Sequence, residues 1–414
     1  MKRILTIFVM AALAISLIQA NANDSAINAA RESLTIGNVT AAENQPQSPP
    51  TLVPPPPKID ATGYVLMDAN TGAIIAESNM DEHMQPASLT KLMTLYLAFQ
   101  ALKSNQIHLD DPVLVSQKAW EMGGSKMFIK VGNHVSVADL IQGIVVASGN
   151  DACVAIAEYI AGNEDTFAAL MDQTANRLGM NNTHYIDSTG LPSPEHYSTP
   201  HDMALLTRAI INDFPEYYHF FSQKWMTFNN IKQPNRNRLL WRDDSVDGLK
   251  TGHTKDAGYC LITSAHRSDM RLITVVMGTP SDSDRASDAE ALLNYGFRFY
   301  KTYKLFDANT PITKPRVWLG EHKHIKCGLK NPLYVTIPIG EYKNLKASMA
   351  ISQHLKAPIT KDQEYGAIEI TLSGKPIASA PLLALESDKK GGMWSRMTDH
   401  ISLLFKGMLG SRAS

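Results

Sequence analysis

Ser88 and Lys91 stand three residues apart at the start of an apolar helical run, Leu92-Met93-Thr94-Leu95-Tyr96-Leu97-Ala98. Residues at that spacing share one face of a helix, so the Lys91 amine reaches the Ser88 hydroxyl and, when uncharged, can take its proton. Ser88 is therefore a candidate nucleophile and Lys91 its general base. The first helical turn also leaves backbone N–H groups unpaired, and that of Ser88 is free to meet a developing oxyanion. The pair alone carries little weight, because the same S-x-x-K spacing recurs at Ser387 and Lys390, in a Ser-Asp-Lys-Lys run read as solvated.

Two downstream groups strengthen it. Ser148-Gly149-Asn150 falls in a tight turn between two periodic helical segments and presents a hydroxyl and an amide side by side; taken singly, it reads as a capped helix start. Lys250-Thr251-Gly252-His253 opens a pair of strand patterns at 258–264 and 271–277, where a glycine lets backbone or ligand approach closely.

The elements that must position these residues are legible around them. Strand patterns at 63–68 and 73–77 meet through Asn70-Thr71-Gly72, a hairpin signal. Three helical patterns follow one another between 136 and 179, the first capped by Ser136. A helical pattern runs from about residue 284 to 303. Beyond it come short alternating strands, such as 333–337 and 366–372, with turns at Gly340 and Gly374-Lys375-Pro376. The expected class is α+β: an antiparallel sheet with helices (58–304), then a small β-rich domain (311–385).

Ser88-x-x-Lys91, Ser148-Gly149-Asn150 and Lys250-Thr251-Gly252 occur in that order, with 60 and 102 residues between their starts. This order and the surrounding wording, Pro86-Ala87-Ser88-Leu89-Thr90-Lys91 and Lys250-Thr251-Gly252-His253-Thr254, resemble the low-molecular-mass penicillin-binding proteins that act as serine D-alanyl-D-alanine carboxypeptidases. The resemblance implies a penicillin-binding transpeptidase/β-lactamase-like fold. It implies an acyl-enzyme on Ser88, no cofactor or metal, peptidoglycan pentapeptides ending in D-Ala-D-Ala as substrate, and acylation by β-lactam antibiotics. It places Lys250 in the same cleft, where like-charge repulsion would depress the Lys91 amine. Ser148 would relay a proton, Asn150 would bind the substrate's backbone amide, and the N–H of His253 would share the oxyanion with Ser88. Thr251, Gly252 and Arg285 would meet the extended substrate and its terminal carboxylate, with Arg236 a weaker candidate. Thr189 stands where some relatives carry histidine, so no role of that histidine transfers.

Two alternatives remain at this stage: a β-lactamase, and an idle scaffold that only recognises D-Ala-D-Ala ends. Against the first, Gly149 replaces an aspartate, and the one E-x-x-L-N string, at Glu290-Ala291-Leu292-Leu293-Asn294, lies after Lys250. Cys153, one turn beyond Asn150, is either a modifiable thiol of the cleft wall or a small buried hydrophobe.

The ends of the chain speak to location. Lys2 and Arg3, an uncharged apolar run and Ala20-Asn21-Ala22 make residues 1–22 a secretory signal peptide, whose apolar core, Ile4 to Ile18, is shorter than the roughly 18 residues a spanning helix needs. Residues 23–57, ending in Pro54-Pro55-Pro56-Pro57, read as a disordered Pro-rich tether. At the other end (391–410), Trp394, Met397, Ile401, Leu404, Phe405 and Met408 recur at helical spacing, which fits a helix lying in the membrane plane on the periplasmic face of the inner membrane. A net charge of −1 and no basic block exclude nucleic acid as a partner. Three cysteines allow at most one disulfide, and His322, His324 and Cys327 lack a fourth metal ligand nearby.

Overall fold

The computed structural model describes residues 53–401 apart from 353 and 395. The signal peptide, the tether up to residue 52, and Leu404, Phe405 and Met408 lie outside the described residues. The chain divides into two units, the first covering Leu52–Tyr303 with Thr336–Ile339, the second holding Lys304–Val335 and the chain from Gly340.

The first unit is built on a five-stranded antiparallel sheet. Its strands are β1 (Gly63–Asp68), β2 (Ile74–Ser78), β5 (Val246–Thr254), β6 (Gly258–Arg267) and β7 (Met270–Thr279), in the order β2-β1-β7-β6-β5; a separate hairpin, β3 (Trp225–Phe228) and β4 (Ile231–Pro234), precedes β5. The β1–β2 turn forms as expected: Gly72 takes φ +74°, and Asp68 Oδ1 accepts from both Thr71 N and Thr71 Oγ1 at 2.8 and 2.9 Å.

Alternate strand residues serve two cores, as the two-residue period of a strand requires. Val65, Met67, Ile262, Ile273 and Val275 join the larger core, while Leu66, Leu261, Leu272 and Val276 join the smaller one on the opposite face. The smaller core is closed by α7 (Asp282–Phe299) through Ala286, Ala289, Leu292 and Leu293. The larger is filled by α1 (Lys91–Lys103), α2 (Val137–Gln142), α3 (Asn150–Ala161), α4 (Glu164–Leu178) and α5 (Pro200–Asp213). α1 is apolar nearly all round and buried from Lys91 to Phe99, as a helix without a polar face must be. Ser136 caps α2 by accepting from Asp139 N.

Two boundaries differ from expectation. The last helix ends at Phe299 rather than near 303, because Tyr300-Lys301-Thr302-Tyr303 continues as a strand, Tyr300–Phe306. Residues 53–57, assigned to the tether, lie against the first unit: Val53 packs on the smaller core, and the Pro54 carbonyl accepts from Tyr295 Oη at 2.8 Å.

The second unit carries a four-stranded sheet of β8 (Cys327–Gly328), β9 (Leu345–Ile351), β10 (Glu364–Leu372) and β11 (Lys375–Ala384), in the order β8-β11-β10-β9. The cysteines are free and buried. His322 Nδ1 lies 3.0 Å from Asp388 Oδ1 rather than beside His324 and Cys327. Ser387, Lys389 and Lys390 are exposed, as read for the Ser-Asp-Lys-Lys run, and Asp388 alone departs at 4% exposed: its backbone pairs with Ile359 and its carboxylate takes His322. Helical backbone spans 393–394 and 396–401, with Met393, Trp394, Met397 and Ile401 exposed.

Candidate active site

Ser88 sits in a 3-10 turn, Ala87–Thr90, that feeds directly into α1, a tighter turn than the α-helical start expected. The geometry nonetheless joins the two residues. Lys91 Nζ donates to Ser88 Oγ at 2.9 Å and to the Thr189 carbonyl at 2.6 Å. Lys91 is fully buried, and burial is the main cause that pushes its amine below the ordinary lysine range. Arg236 adds to the depression, while the Cys153 thiol and the Asp187 and Asp151 carboxylates oppose it. The repulsion expected from Lys250 is therefore secondary to desolvation here. Between the two lysines it bears chiefly on Lys250, whose amine is pushed well below its usual range, first by burial and then by Lys91.

Lys250 Nζ donates to Ser148 Oγ at 2.9 Å and to the Thr251 carbonyl at 3.0 Å. Ser148 adopts a left-handed φ of 59° after the helical turn Gly143–Ala147, which separates α2 from α3 and turns the hydroxyl out of the run. Two lysine–serine pairs thus come from three distant segments, and both serines line one cavity of about 280 Å³.

β5 forms one wall of that cavity through Thr251, Gly252 and His253. A Cβ on Gly252 would lie 3.0 Å from the Pro86 carbonyl and 3.3 Å from Ala87 Cβ, so the glycine is what lets the strand approach the nucleophile's turn. The His253 ring is tilted 31° against Tyr259, centroids 4.0 Å apart.

The two arginines are held differently. Both line the cavity. Arg285 Nη1 donates to the Gly252 carbonyl at 3.0 Å, and Nη2 is engaged by Asp282, so its guanidinium braces the strand. Arg236 has no hydrogen bond or ion pair among the described residues, and burial, then Arg285, lowers its pKa. Asn150 Nδ2 donates to the Gly123 carbonyl at 2.8 Å and its backbone N to Ser125 O at 2.7 Å, which ties the start of α3 to the segment that carries the cavity residue Ser125. Ser125 and Tyr259 line the cavity without having been singled out, since each is an unremarkable residue in its own stretch of sequence. Asp151 likewise earns a role only in three dimensions, accepting from the backbone N–H of Met127, Phe128 and Ile129.

The loop at Asp187-Ser188-Thr189-Gly190 is clamped by Asp187 Oδ1, which accepts from Thr189 N, Thr189 Oγ1 and Gly190 N. His196, 2% exposed, lies 2.9 Å from Thr90 Oγ1 through Nε2 and 3.8 Å from Asp187 through Nδ1. Cys153 is fully buried with its thiol pushed up to about 12, mainly by desolvation, which favours the small-hydrophobe reading over the modifiable one. Among the described residues no carboxylate lines the cavity, and Leu292 and Leu293 of the E-x-x-L-N string face the smaller core.

A serine held by a buried lysine, in a cavity with no acid to activate water, is the chemistry of the penicillin-recognising serine hydrolases. Residues 50–281 match the D-alanyl-D-alanine carboxypeptidase family and residues 300–390 the penicillin-binding protein 5 C-terminal domain. The chain is 45% identical over 363 residues to D-alanyl-D-alanine carboxypeptidase DacC of Escherichia coli, covering 86% of this chain and 91% of that one. It is 41% identical to DacA of the same organism, covering 90% and 94%. Penicillin-binding protein 5 from Haemophilus influenzae superposes with a TM-score of 0.77 at 44% identity, covering 81% of this chain and 99% of that one. The chain belongs to the D-alanyl-D-alanine carboxypeptidase family and is a serine-type hydrolase of that class.

Proposed function

We propose that the site removes the terminal D-alanine from peptidoglycan stem pentapeptides. Lys91, uncharged, takes the Ser88 proton as Oγ attacks the carbonyl carbon of the penultimate D-alanine. The C–O bond forms, and the carbonyl oxygen becomes an oxyanion between the N–H groups of Ser88 and His253, each donor worth about 3 kcal/mol in such a hole. Collapse breaks the C–N bond, and the leaving amine receives its proton through Ser148, held by Lys250. Lys250 supplies that proton and regains one, again through Ser148, from the water whose oxygen bonds to the ester carbonyl carbon; the C–Oγ bond then breaks, and Ser88 Oγ takes its proton back from Lys91. Arg236 and Thr251 receive the substrate's carboxylate, and the β-lactam ring enters by the same attack.

The observation that carries this reading is the pair of 2.9 Å contacts, Lys91 to Ser88 and Lys250 to Ser148, on one cavity with both amines depressed. We further propose export to the periplasm and attachment to the inner membrane through the C-terminal helix. Support comes from the residues left outward there, Met393, Trp394, Met397 and Ile401, while Asp399 on the same helix binds Leu319 N and Arg316. Among the described residues no helix is long and apolar enough to cross a membrane.

D-alanine release from a pentapeptide, together with covalent labelling by a fluorescent penicillin, tests the chemistry. Both activities are expected in the wild type and neither in Ser88→Ala; release by Ser88→Ala would overturn it.

A further inference from the structure

Two tryptophans stand exposed on either side, in sequence, of the cavity residue Arg236, and the chemistry above does not use them. Trp225, on β3, is 49% exposed, and Trp241, on α6 (Leu239–Arg242), is 41% exposed. Their rings meet nearly edge to face, centroids 6.0 Å apart at 81°. Trp225 is held on its other contacts as well: Lys232 Nζ sits 4.7 Å over its ring, and Pro234 is its partner across the hairpin. Met226, the next residue, points the opposite way and is 3% exposed, so the outward position of Trp225 is set by strand alternation.

This aromatic pair is tied through the backbone to segments that carry cavity residues. Arg236, which lines the cavity, follows Pro234 by two residues, and Asn235 N donates to the Lys224 carbonyl at 2.8 Å, tying the segment to the residue before Trp225. The hairpin is bound on its other side to the segment after the cavity residue Ser125, through Gln233 Nε2 to the Lys126 carbonyl at 3.3 Å and Asn229 Nδ2 to the Phe128 carbonyl at 2.9 Å.

We propose that Trp225 and Trp241 form a sugar-stacking subsite for the glycan strand that carries the stem peptide. The inference rests on the DD-carboxypeptidase reading, because that reading puts the peptide's carboxylate end in the cavity. An extended five-residue stem spans about 17 Å, so its sugar-bearing end emerges at the rim. Indole faces offer apolar area of the size of a pyranose ring, with little side-chain entropy to lose. Two indoles form too small a patch for a stable protein partner, which needs about 800 Å² on each side.

The test uses the full chain and the double variant Trp225→Ala/Trp241→Ala, with Trp225→Phe/Trp241→Phe as a conservative control. Fluorescent-penicillin labelling reports that the catalytic cavity is intact in each. In the first measurement, an N-acetylglucosamine tetrasaccharide is titrated and followed by protein NMR shifts. A saturable change is expected in the wild type and the Phe variant, and none in the Ala variant. In the second, D-alanine release is compared on a free pentapeptide and a disaccharide-linked pentapeptide. The Ala variant is expected to lose about tenfold in kcat/KM on the linked substrate alone.

A flat wild-type titration, or equal losses on both substrates, overturns the proposal. Saturable binding of the sugar by a wild type that releases no D-alanine from either substrate would instead reject the enzymatic reading and leave the subsite standing.

Discussion

The carbonyl of Thr189 accepts from Lys91 Nζ at 2.6 Å, closer than the 2.9 Å from that nitrogen to Ser88 Oγ. The loop over the site is thus part of the base's own environment, and its conformation is set by Asp187, whose charge also acts on Lys91.

The pH profile of acylation follows from that arrangement. The reactive form of Lys91 is uncharged, so the second-order rate of penicillin acylation should rise as pH increases through the lowered Lys91 pKa and then level off. Asp187→Asn removes an anion that raises this pKa and should move the limb to lower pH. Arg236→Gln removes a cation that lowers it and should move the limb to higher pH. Shifts in the same direction for both variants would reject the assignment of the limb to Lys91.

Arg236→Gln and Arg285→Gln should separate binding from stability. The first is expected to raise KM for the pentapeptide about 10- to 100-fold, as lost charged hydrogen bonds do, with the melting temperature little changed. The second removes the brace on the Gly252 carbonyl and the partner of Asp282, and should destabilise the unit by roughly 1–3 kcal/mol in denaturant unfolding.

Gly190 has φ +82°, and a Cβ there would lie 1.8 Å from the Ala87 carbonyl and 2.6 Å from Thr90 Oγ1. Gly190→Ala must therefore push the loop off the nucleophile's turn. We expect a loss of about 2–4 kcal/mol in stability and of penicillin labelling together, read by denaturant melts and gel fluorescence.

Truncation after Gly391 removes Met393, Trp394, Met397 and Ile401, the outward apolar residues. The shortened protein should appear in the soluble fraction after fractionation with its penicillin labelling intact. Retention with the membranes would reject the interfacial helix.

Much of the site was readable in one dimension because its chemistry lives in short strings. Ser88 with Lys91, and Lys250 beside Gly252, carry their roles in their spacing and in the need for a small residue where strand meets turn. What escaped depends on competition for partners. The bonds of Arg285 to the Gly252 carbonyl and Asp282, and of Asn150 to the Gly123 carbonyl, join segments far apart in sequence and leave no trace in any one of them. Asp388 sat in a run of charges that suggested solvent, whereas backbone pairing with Ile359 draws it under cover. The β1–β2 hairpin and the Ser136 cap were legible for the opposite reason: a neighbour within a few residues satisfies each of them.

Lys91 and Lys250 are sealed from solvent, while the serine each one holds is part of the cavity lining. Neither amine can trade protons with bulk liquid by itself; traffic in either direction has to cross a hydroxyl. When Ser88 is esterified, one of those two crossings is closed, and only the Ser148 side remains to hand protons on during release of the acyl group. A bulky acyl fragment lodged against Ser148 would then strand the enzyme midway through its cycle.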